Sequence, residues 1–189
     1  ESSTESGQVE QDDRLNIQSL GINYDVRRIT EEDISDVYRL CKTNKRYYRY
    51  MRSVPTRESL TEIISRIPGD AGNCGKYFVG FYDLDRLVAV MDLITGYPEE
   101  DAAFIGWLMV DGALQGQGIG SQILADVRAA MKAQGYDKLS LGCVKENVEA
   151  IAFWEGQGFT ATKEEQVEQA VPGKDAGRVH TVVTMMRKI

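Results

Sequence analysis

The chain has 189 residues, with 22 Lys and Arg against 29 Asp and Glu for a formal charge of −7, and 42% of it is apolar. That length suits one globular domain with enough interior to stand without a disulfide or metal staple. Three widely spaced cysteines (Cys41, Cys74, Cys143) and a lone imidazole, His180, exclude a disulfide framework and a Cys/His metal cluster, and point to a reducing cytoplasm. No run approaches the ~18 uninterrupted apolar residues of a membrane span, and the first residues lack the basic-then-apolar order of a signal peptide. The start at Glu1 rather than Met suits a trimmed product, whose upstream targeting segment would be invisible.

Residues 1–13 hold five acids (Glu1, Glu5, Glu10, Asp12, Asp13) and no base, in a Ser- and Gln-rich run with almost nothing to bury. This composition predicts a disordered acidic tail over 1–14 and a single domain over 15–189. Taking that −5 from −7 leaves −2 for the remainder, with no sustained basic face of the kind that tracks a phosphate backbone, so nucleic acid is not expected as a partner.

Tyr24 to Ile29 reads as a first strand. Thr30 opens a capping box with Asp33, and Ile34, Val37, Tyr38 and Cys41 then form one helical stripe. A second helix carries Leu60, Ile63, Ile64 and Ile67, starts after Pro55-Thr56 and stops at Pro68-Gly69; the segment between the two helices reads as a connection. Tyr77 to Tyr82 and Leu87 to Thr95 form an antiparallel hairpin around Asp83 to Arg86, and Phe104 to Val110 is a third strand. Ile119 to Gln134 is a helix, with Ile123, Leu124, Val127 and Met131 on one face and Gly135 closing it. Leu139 to Val144 returns as a strand, and Ala150 to Gln157 is a short helix ending at Gly158. Two final strands near Phe159 to Gln169 and Arg178 to Lys188 flank a turn over Pro172 to Gly177. The pattern is a mixed α/β sheet without internal repeats.

Chemistry concentrates at Met109-Val110-Asp111-Gly112-Ala113-Leu114-Gln115-Gly116-Gln117-Gly118-Ile119-Gly120-Ser121, which runs from strand through glycine loop to helix. Alternating glycines remove side chains so that successive backbone N–H groups can face one anion, and the helix N-terminus behind them adds partial positive charge. The loop has no Gly-Lys-Ser/Thr of a triphosphate-binding loop, and its last glycine falls one residue early for G-x-G-x-x-G. The alternatives are a tight turn without ligand, or a different nucleotide such as ATP or NAD.

Gln115-x-x-Gly118-x-Gly120 resembles the pyrophosphate-binding signature of the GNAT family of acetyl-CoA-dependent N-acetyltransferases. Asn147-x-x-Ala150-x-x-Phe153-Trp154-x-x-x-Gly158-Phe159 resembles that family's second signature, and the element order is similar across Tyr24 to Ile189. The runs Tyr77 to Tyr82, Met91 to Ile94, Tyr97-Pro98 and Phe104 to Trp107 look like an uncharacterised subgroup common in Gram-positive bacteria. The resemblance implies an α/β fold with a mixed, mostly antiparallel sheet of about seven strands, splayed central strands and about four flanking helices. It implies acetyl-CoA as cosubstrate: pantetheine would add like a strand to Leu108, Met109 and Val110. Gln115, Gly116, Gln117, Gly118, Ile119, Gly120 and Ser121 would hold the pyrophosphate. Asn147 would contact the pantetheine, with Phe153 and Trp154 along its arm, and the Val110 N–H would meet the thioester oxygen. For the Phe-Trp pair the plain alternative is core packing. The function so implied is transfer of an acetyl group to a primary amine of a small molecule or peptide by direct attack, in a monomer or homodimer.

The chain departs from that pattern at the proton-handling positions. Many members have Tyr where this chain has Trp154, whose indole N–H is no acid at neutral pH, although a thiolate of pKa ~8.5 leaves tolerably without full protonation. Tyr136 and Cys143 are weak substitutes. The strand Phe104 to Val110 lacks the Glu common there. Asp92, interrupting Val88 to Ile94, is the candidate base or acceptor contact, because a carboxylate inside such a strand must be paired, hydrated or useful. These losses make an inactive coenzyme A-binding module the competing reading. The need for a base depends on the acceptor: at pH 7 a lysine-like amine is neutral in fewer than ~1 molecule in 1,000, an α-amine in roughly 1 in 7, so the latter needs little beyond positioning. Lys42 to Arg52 carries five positive charges and no negative one, interleaved with Tyr47, Tyr48 and Tyr50. The resemblance sets this connection beside the acceptor cleft, so Arg46, Tyr47 and Arg49 are expected to bind an acceptor bearing a carboxylate or phosphate; the alternative is a solvated loop with its tyrosines turned inward. His180 is expected at the surface.

Overall fold

The computed structural model describes residues 15–67, 74–168 and 179–189. The acidic tail, the Pro68-Gly69 helix stop and the Pro172 to Gly177 turn lie outside them. Among the described residues the α-helices and strands run β1 (Asp25–Arg28), α1 (Ile34–Lys42), α2 (Lys45–Met51), α3 (Arg57–Ser65), β2 (Gly75–Asp83), β3 (Arg86–Thr95), β4 (Ala102–Val110), α4 (Ile119–Ala133), β5 (Lys138–Val144), α5 (Val148–Gly156), β6 (Thr160–Glu168) and β7 (Val179–Lys188). The strands form one sheet in the order β1-β2-β3-β4-β5-β7-β6, antiparallel at every joint except the parallel β4/β5 pair. This is the mixed, mostly antiparallel sheet of about seven strands that the family resemblance implies.

Local chemistry sets the element ends. The Thr30–Asp33 capping box forms, with Thr30 N–H donating to Asp33 Oδ2 at 2.9 Å, and a 3-10 turn over Glu31–Asp33 leads into α1. Thr56 caps α3 by accepting from Ser59 N–H at 3.1 Å. α3 ends at Ser65, so Ile67 lies beyond the helix that its spacing suggested. The segment Lys45–Met51, expected as part of a connection, is helical, which makes five α-helices among the described residues instead of about four. Its two turns carry no clear apolar stripe, and they are held by contacts distant in sequence.

The sheet has a core on each face. Against one face, Ile123, Leu124, Val127 and Met131 of α4 pack with Val79, Phe81, Met91, Leu93 and Ile105, together with Trp154 and Phe159. Against the other, Ile34, Val37, Leu40 and Cys41 of α1 and Leu60 of α3 pack on Phe78, Tyr82, Val90 and Met109, with Tyr47 and Tyr48 of α2 at the margin. β3, buried along nearly its whole length, is therefore covered on both sides, which is why its sequence reads as a continuous apolar run. His180, expected at the surface, is buried at 4% exposure. It sits on β7 opposite Val167 of β6, inside the last strand pair.

β4 and β5 pair only from Ala102/Lys138 to Ile105/Leu141. β4 nevertheless continues to Val110 and β5 to Val144. Past Ile105 the two strands have parted, and the β4 edge facing β5 has no ladder partner.

Candidate active site

The parted strands open into a cleft of about 720 Å³. Its walls are Leu108, Met109 and Val110 of β4, the glycine loop through Ser121, Asn147, Phe153 and Trp154 around α5, and Thr43 to Tyr47 with Tyr50 at α2. Most of the residues singled out for the cofactor thus gather in one place, Gln117 not among them.

The strand register determines what β4 offers. Ala89 stands opposite Val110, and Asp111 N–H donates to Val88 O at 2.9 Å. In an antiparallel ladder such pairs alternate, so Met109 and Asp111 spend their backbone groups on β3, while Leu108 and Val110 turn theirs toward the cleft. The Val110 carbonyl is already engaged: Asn44 Nδ2 and Gln115 Nε2 each donate to it at 3.0 Å. Gln115 therefore turns its side chain back to the strand end, although it heads the loop expected to face phosphate. The groups left on this edge are the Leu108 N–H and C=O and the Val110 N–H.

At the head of the cleft, Gly116 and Gly118 have φ of +79° and +82°, the left-handed region that favours glycine. A Cβ at either would meet nothing within 4 Å, so the space before the loop is open. Gly118 directly precedes α4, a helix of 15 residues, which directs its partial positive charge at that space. Gly120 is different: it lies within α4, and a Cβ there would make ordinary contact with the Phe153 ring at 3.4 Å, so the start of α4 lies against α5. These features fit a pyrophosphate group: backbone donors, no side chains in the way and a long helix behind.

On the opposite wall, the Asn147 side chain caps α5 by accepting from Ala150 N–H at 3.1 Å. Phe153 is 36% exposed toward the cleft, whereas Trp154 is only 9% exposed and stacks edge-on between Phe153 and Phe159 with centroids 5.1 and 5.3 Å away. Of the two aromatics, Phe153 offers the open surface and Trp154 anchors α5 to the core.

The proposed acceptor residues divide. Arg46 lines the cleft and forms an ion pair at 2.8 Å with Glu149 of α5, so the pair spans from one wall to the other. Tyr47 also lines the cleft, and burial pushes its phenol up to about 12, opposed by a hydrogen bond that the phenol oxygen accepts from the Trp107 indole N–H. Arg49 is exposed on α2 and is not among the cleft-lining residues. Asp92 also lies outside the cleft wall: it pairs with Lys76 at 2.5 Å on the α1/α3 side of the sheet, both side chains nearly buried. Burial pushes the Asp92 carboxyl up and the Lys76 ammonium down, and each partner's charge opposes the other's shift. Gly106 makes room for this carboxylate, since a Cβ there would come within 2.8 Å of Asp92 Oδ2. Cys143, on β5 beyond Leu141, the last residue paired with β4, is 8% exposed and its thiol is pushed up to about 11 by burial, so it is no nucleophile near neutrality.

Sequence reasoning missed Thr43 and Asn44. Gly112 N–H donates to Thr43 Oγ1 at 2.8 Å, and a Cβ on Gly112 would stand 2.3 Å from the Thr43 carbonyl oxygen, so the α1–α2 corner rests directly on the end of β4. Thr-Asn after a helical stripe reads as an ordinary helix end, and nothing local identifies a partner 66 residues away. Among the described residues no group of three or more His, Cys, Asp or Glu gathers to hold a metal, and no helix is long and apolar enough to cross a membrane.

The sequence profile of the acetyltransferase (GNAT) family matches residues 35–159. Among solved structures, the chain is similar to an acetyltransferase from Thermus thermophilus, at 22% identity and TM-score 0.66 over 88% of this chain and 97% of that one. It is also similar to the ribosomal-protein-S18-alanine N-acetyltransferase of Escherichia coli, at 16% identity and TM-score 0.60 over 87% and 93%. A third, the PaiA N-acetyltransferase of Thermoplasma acidophilum in complex with coenzyme A, aligns at 16% identity and TM-score 0.59 over 87% and 98%. A search of curated proteins by sequence finds no match.

Proposed function

The chain belongs to the acetyltransferase (GNAT) family, and from that premise we propose that it transfers the acetyl group of acetyl-CoA to a primary amine of a small molecule or peptide by direct attack. The observation that carries this reading is the cleft between β4 and β5, with unpaired backbone donors on one wall and the open glycine loop at its head. A strand-like pantetheine pairs with Leu108 and the Val110 N–H, the pyrophosphate lies before Gly116 to Ser121, and Phe153 covers the arm. The Val110 N–H then meets the thioester oxygen as negative charge develops on it; one such donor is worth about 100- to 1,000-fold in rate. A fold relative that holds coenzyme A supports the choice of ligand.

The attacking amine loses a proton and the departing sulfur gains one. Tyr47, on the cleft wall and protonated at neutral pH as any phenol is, donates a hydrogen bond to that sulfur and takes the place of the hydroxyl absent at Trp154. Lys45, Arg46 and Arg49 give α2 a positive field that favours an acceptor with a carboxylate or phosphate. Asp92 serves as an acceptor-side base only if its pairing with Lys76 opens. We assign the chain to the cytoplasm, in keeping with the absence of a disulfide among Cys41, Cys74 and Cys143, and to the Gram-positive subgroup that its strand sequences resemble.

A second reading, a coenzyme A-binding module without turnover, is favoured by two ion pairs: the carboxylate on the cleft wall, Glu149, is paired with Arg46, and Asp92 with Lys76. Thiol release from acetyl-CoA across a panel of α-amines, lysine-like amines and their anionic analogues separates the two. Acceptor-dependent release is expected, strongest with anionic α-amines and reduced at least tenfold in Tyr47→Phe. Binding of acetyl-CoA without acceptor-dependent release would establish the module, and no binding would defeat both.

A further inference from the structure

The first turn of α4 holds backbone donors that its own helix does not use. Gln122 N–H donates to Gly118 O at 3.0 Å, and the N–H groups of Ile119, Gly120 and Ser121 come before any helical acceptor. Ser121, which lines the cleft, adds a hydroxyl to them. A serine hydroxyl in such a place can turn back to a nearby backbone oxygen. Here it is held by a side chain 36 positions away instead: Gln157 Nε2 donates to Ser121 Oγ at 2.8 Å. A hydroxyl has one proton to give and two lone pairs to offer. The Gln157 amide takes up a lone pair, so the Ser121 proton points away from it, and no group among the described residues accepts that proton.

Gln157 is not among the cleft-lining residues, and two other elements fix it. It directly follows α5, where its N–H is shared between the Phe153 and Trp154 carbonyls at 3.0 Å each. Its own carbonyl accepts from the Arg187 guanidinium of β7. Gly158, in the left-handed region at φ +86°, leaves room for that guanidinium, since a Cβ there would stand 3.1 Å from Arg187 Nη1. The amide that reaches Ser121 is thus anchored to α5 and β7 rather than to the glycine loop. We infer that Gln157 is a positioning residue for anion binding: by occupying a lone pair of Ser121 Oγ it leaves the hydroxyl proton for a phosphate oxygen, a fourth donor beside the Ile119, Gly120 and Ser121 N–H groups. This rests on the acetyl-transfer reading above, which places a pyrophosphate before the loop, and it makes the grip on that pyrophosphate depend on a residue outside the cleft wall.

The test is a double-mutant cycle, with coenzyme A titrated by calorimetry into wild type, Ser121→Ala, Gln157→Leu and the double variant. Ser121→Ala removes the hydroxyl and is expected to raise Kd about tenfold, as for one hydrogen bond to a charged group. Gln157→Leu keeps much of the side chain's bulk but frees the hydroxyl to turn to backbone or solvent, which should raise Kd about three- to tenfold. The double variant should bind as Ser121→Ala does, because Gln157 acts only through that oxygen. A Gln157 that merely packs α5 on α4 would show its cost in both backgrounds; additive losses, or an unchanged Kd in Gln157→Leu, overturn the inference. The ³¹P resonances of the bound pyrophosphate are expected to move on Gln157→Leu in wild type and to stay on the same change in Ser121→Ala; movement in both backgrounds, or in neither, also overturns it. Should Gln157→Leu fail to fold, Gln157→Glu has the same length, and its carboxylate takes up the Ser121 proton. It should then weaken coenzyme A binding more in wild type than in Ser121→Ala, and an equal loss in the two defeats the inference. A wild type that binds no coenzyme A would instead defeat the acetyl-transfer reading itself.

Discussion

Cys41 and Cys143 show how one residue type takes its chemistry from its surroundings. Burial pushes each thiol from an ordinary 9.0 up to about 11. At pH 8 each therefore presents about 100-fold fewer thiolates than an ordinary thiol. Iodoacetamide at that pH is therefore expected to label both at least 100-fold more slowly than glutathione, with rates rising about tenfold per pH unit; mass spectrometry of the labelled peptides reads this out, and rapid labelling of Cys143 would contradict its burial. Stability follows with a definite sign. The folded chain holds these two protons more tightly than the unfolded chain does, so their contribution is intact below about pH 9 and is lost as the pH rises through about 11. At the same scale, Asp92 was recognisable as unusual because a charge interrupts an apolar strand, but its partner Lys76 was not: the two meet only once β2 lies beside β3, diagonal across the register that sets Phe78 against Asp92. His180 shows the reverse failure. A polar residue in a β-rich run reads as outward-facing, yet on β7, opposite Val167 of β6, it is buried.

Elements with strong periodicity were legible and α2 was not. α4 shows four apolar residues on one face with a glycine at its end, and the helix forms there; Lys45–Met51 offers charges and tyrosines with no stripe for a period to reveal. It is helical because Asn44 and Thr43 pin its start to β4 and the glycine-loop segment, and Tyr47 and Tyr48 pack at the edge of the α1/α3 core. The glycines of the loop separate by the same logic. Gly112 is small because the α1–α2 corner leaves no room, whereas Gly116 is glycine for its left-handed backbone and the open space before it. Gly112→Ala is accordingly expected to lower stability by about 1–3 kcal/mol through overpacking, read by urea denaturation. Gly116→Ala costs only about 1–2 kcal/mol of backbone strain but places a methyl where phosphate would lie, so coenzyme A affinity by calorimetry should fall at least tenfold. Equal effects of the two on stability, with affinity untouched in both, would refute this division.

At the scale of the molecule the cleft is a property of the sheet. β4 and β5 start as a parallel pair and separate after Ile105/Leu141, so ligand bound there touches β4, the loop before α4, and α5 beyond β5. A ligand that bridges these parts stabilises the whole fold: saturation at 100 times Kd adds about 2.7 kcal/mol, and acetyl-CoA should raise Tm by several degrees, growing with the logarithm of concentration. ATP or NAD matching that shift would point to a different ligand for the loop. The sequence by itself determined the strands, four of the helices, the glycine loop and the family resemblance, because these rest on spacing within short windows, where side-chain periodicity and backbone freedom act locally. The tertiary structure alone decided where β4 and β5 part, that Gln115 and Asn44 share the Val110 carbonyl, that Arg46 reaches Glu149, and that Asp92 is paired on the sheet's α1/α3 face. Each of those joins residues far apart in the chain, and a hydrogen bond or ion pair between such residues has no spacing to announce it until the sheet order brings them together.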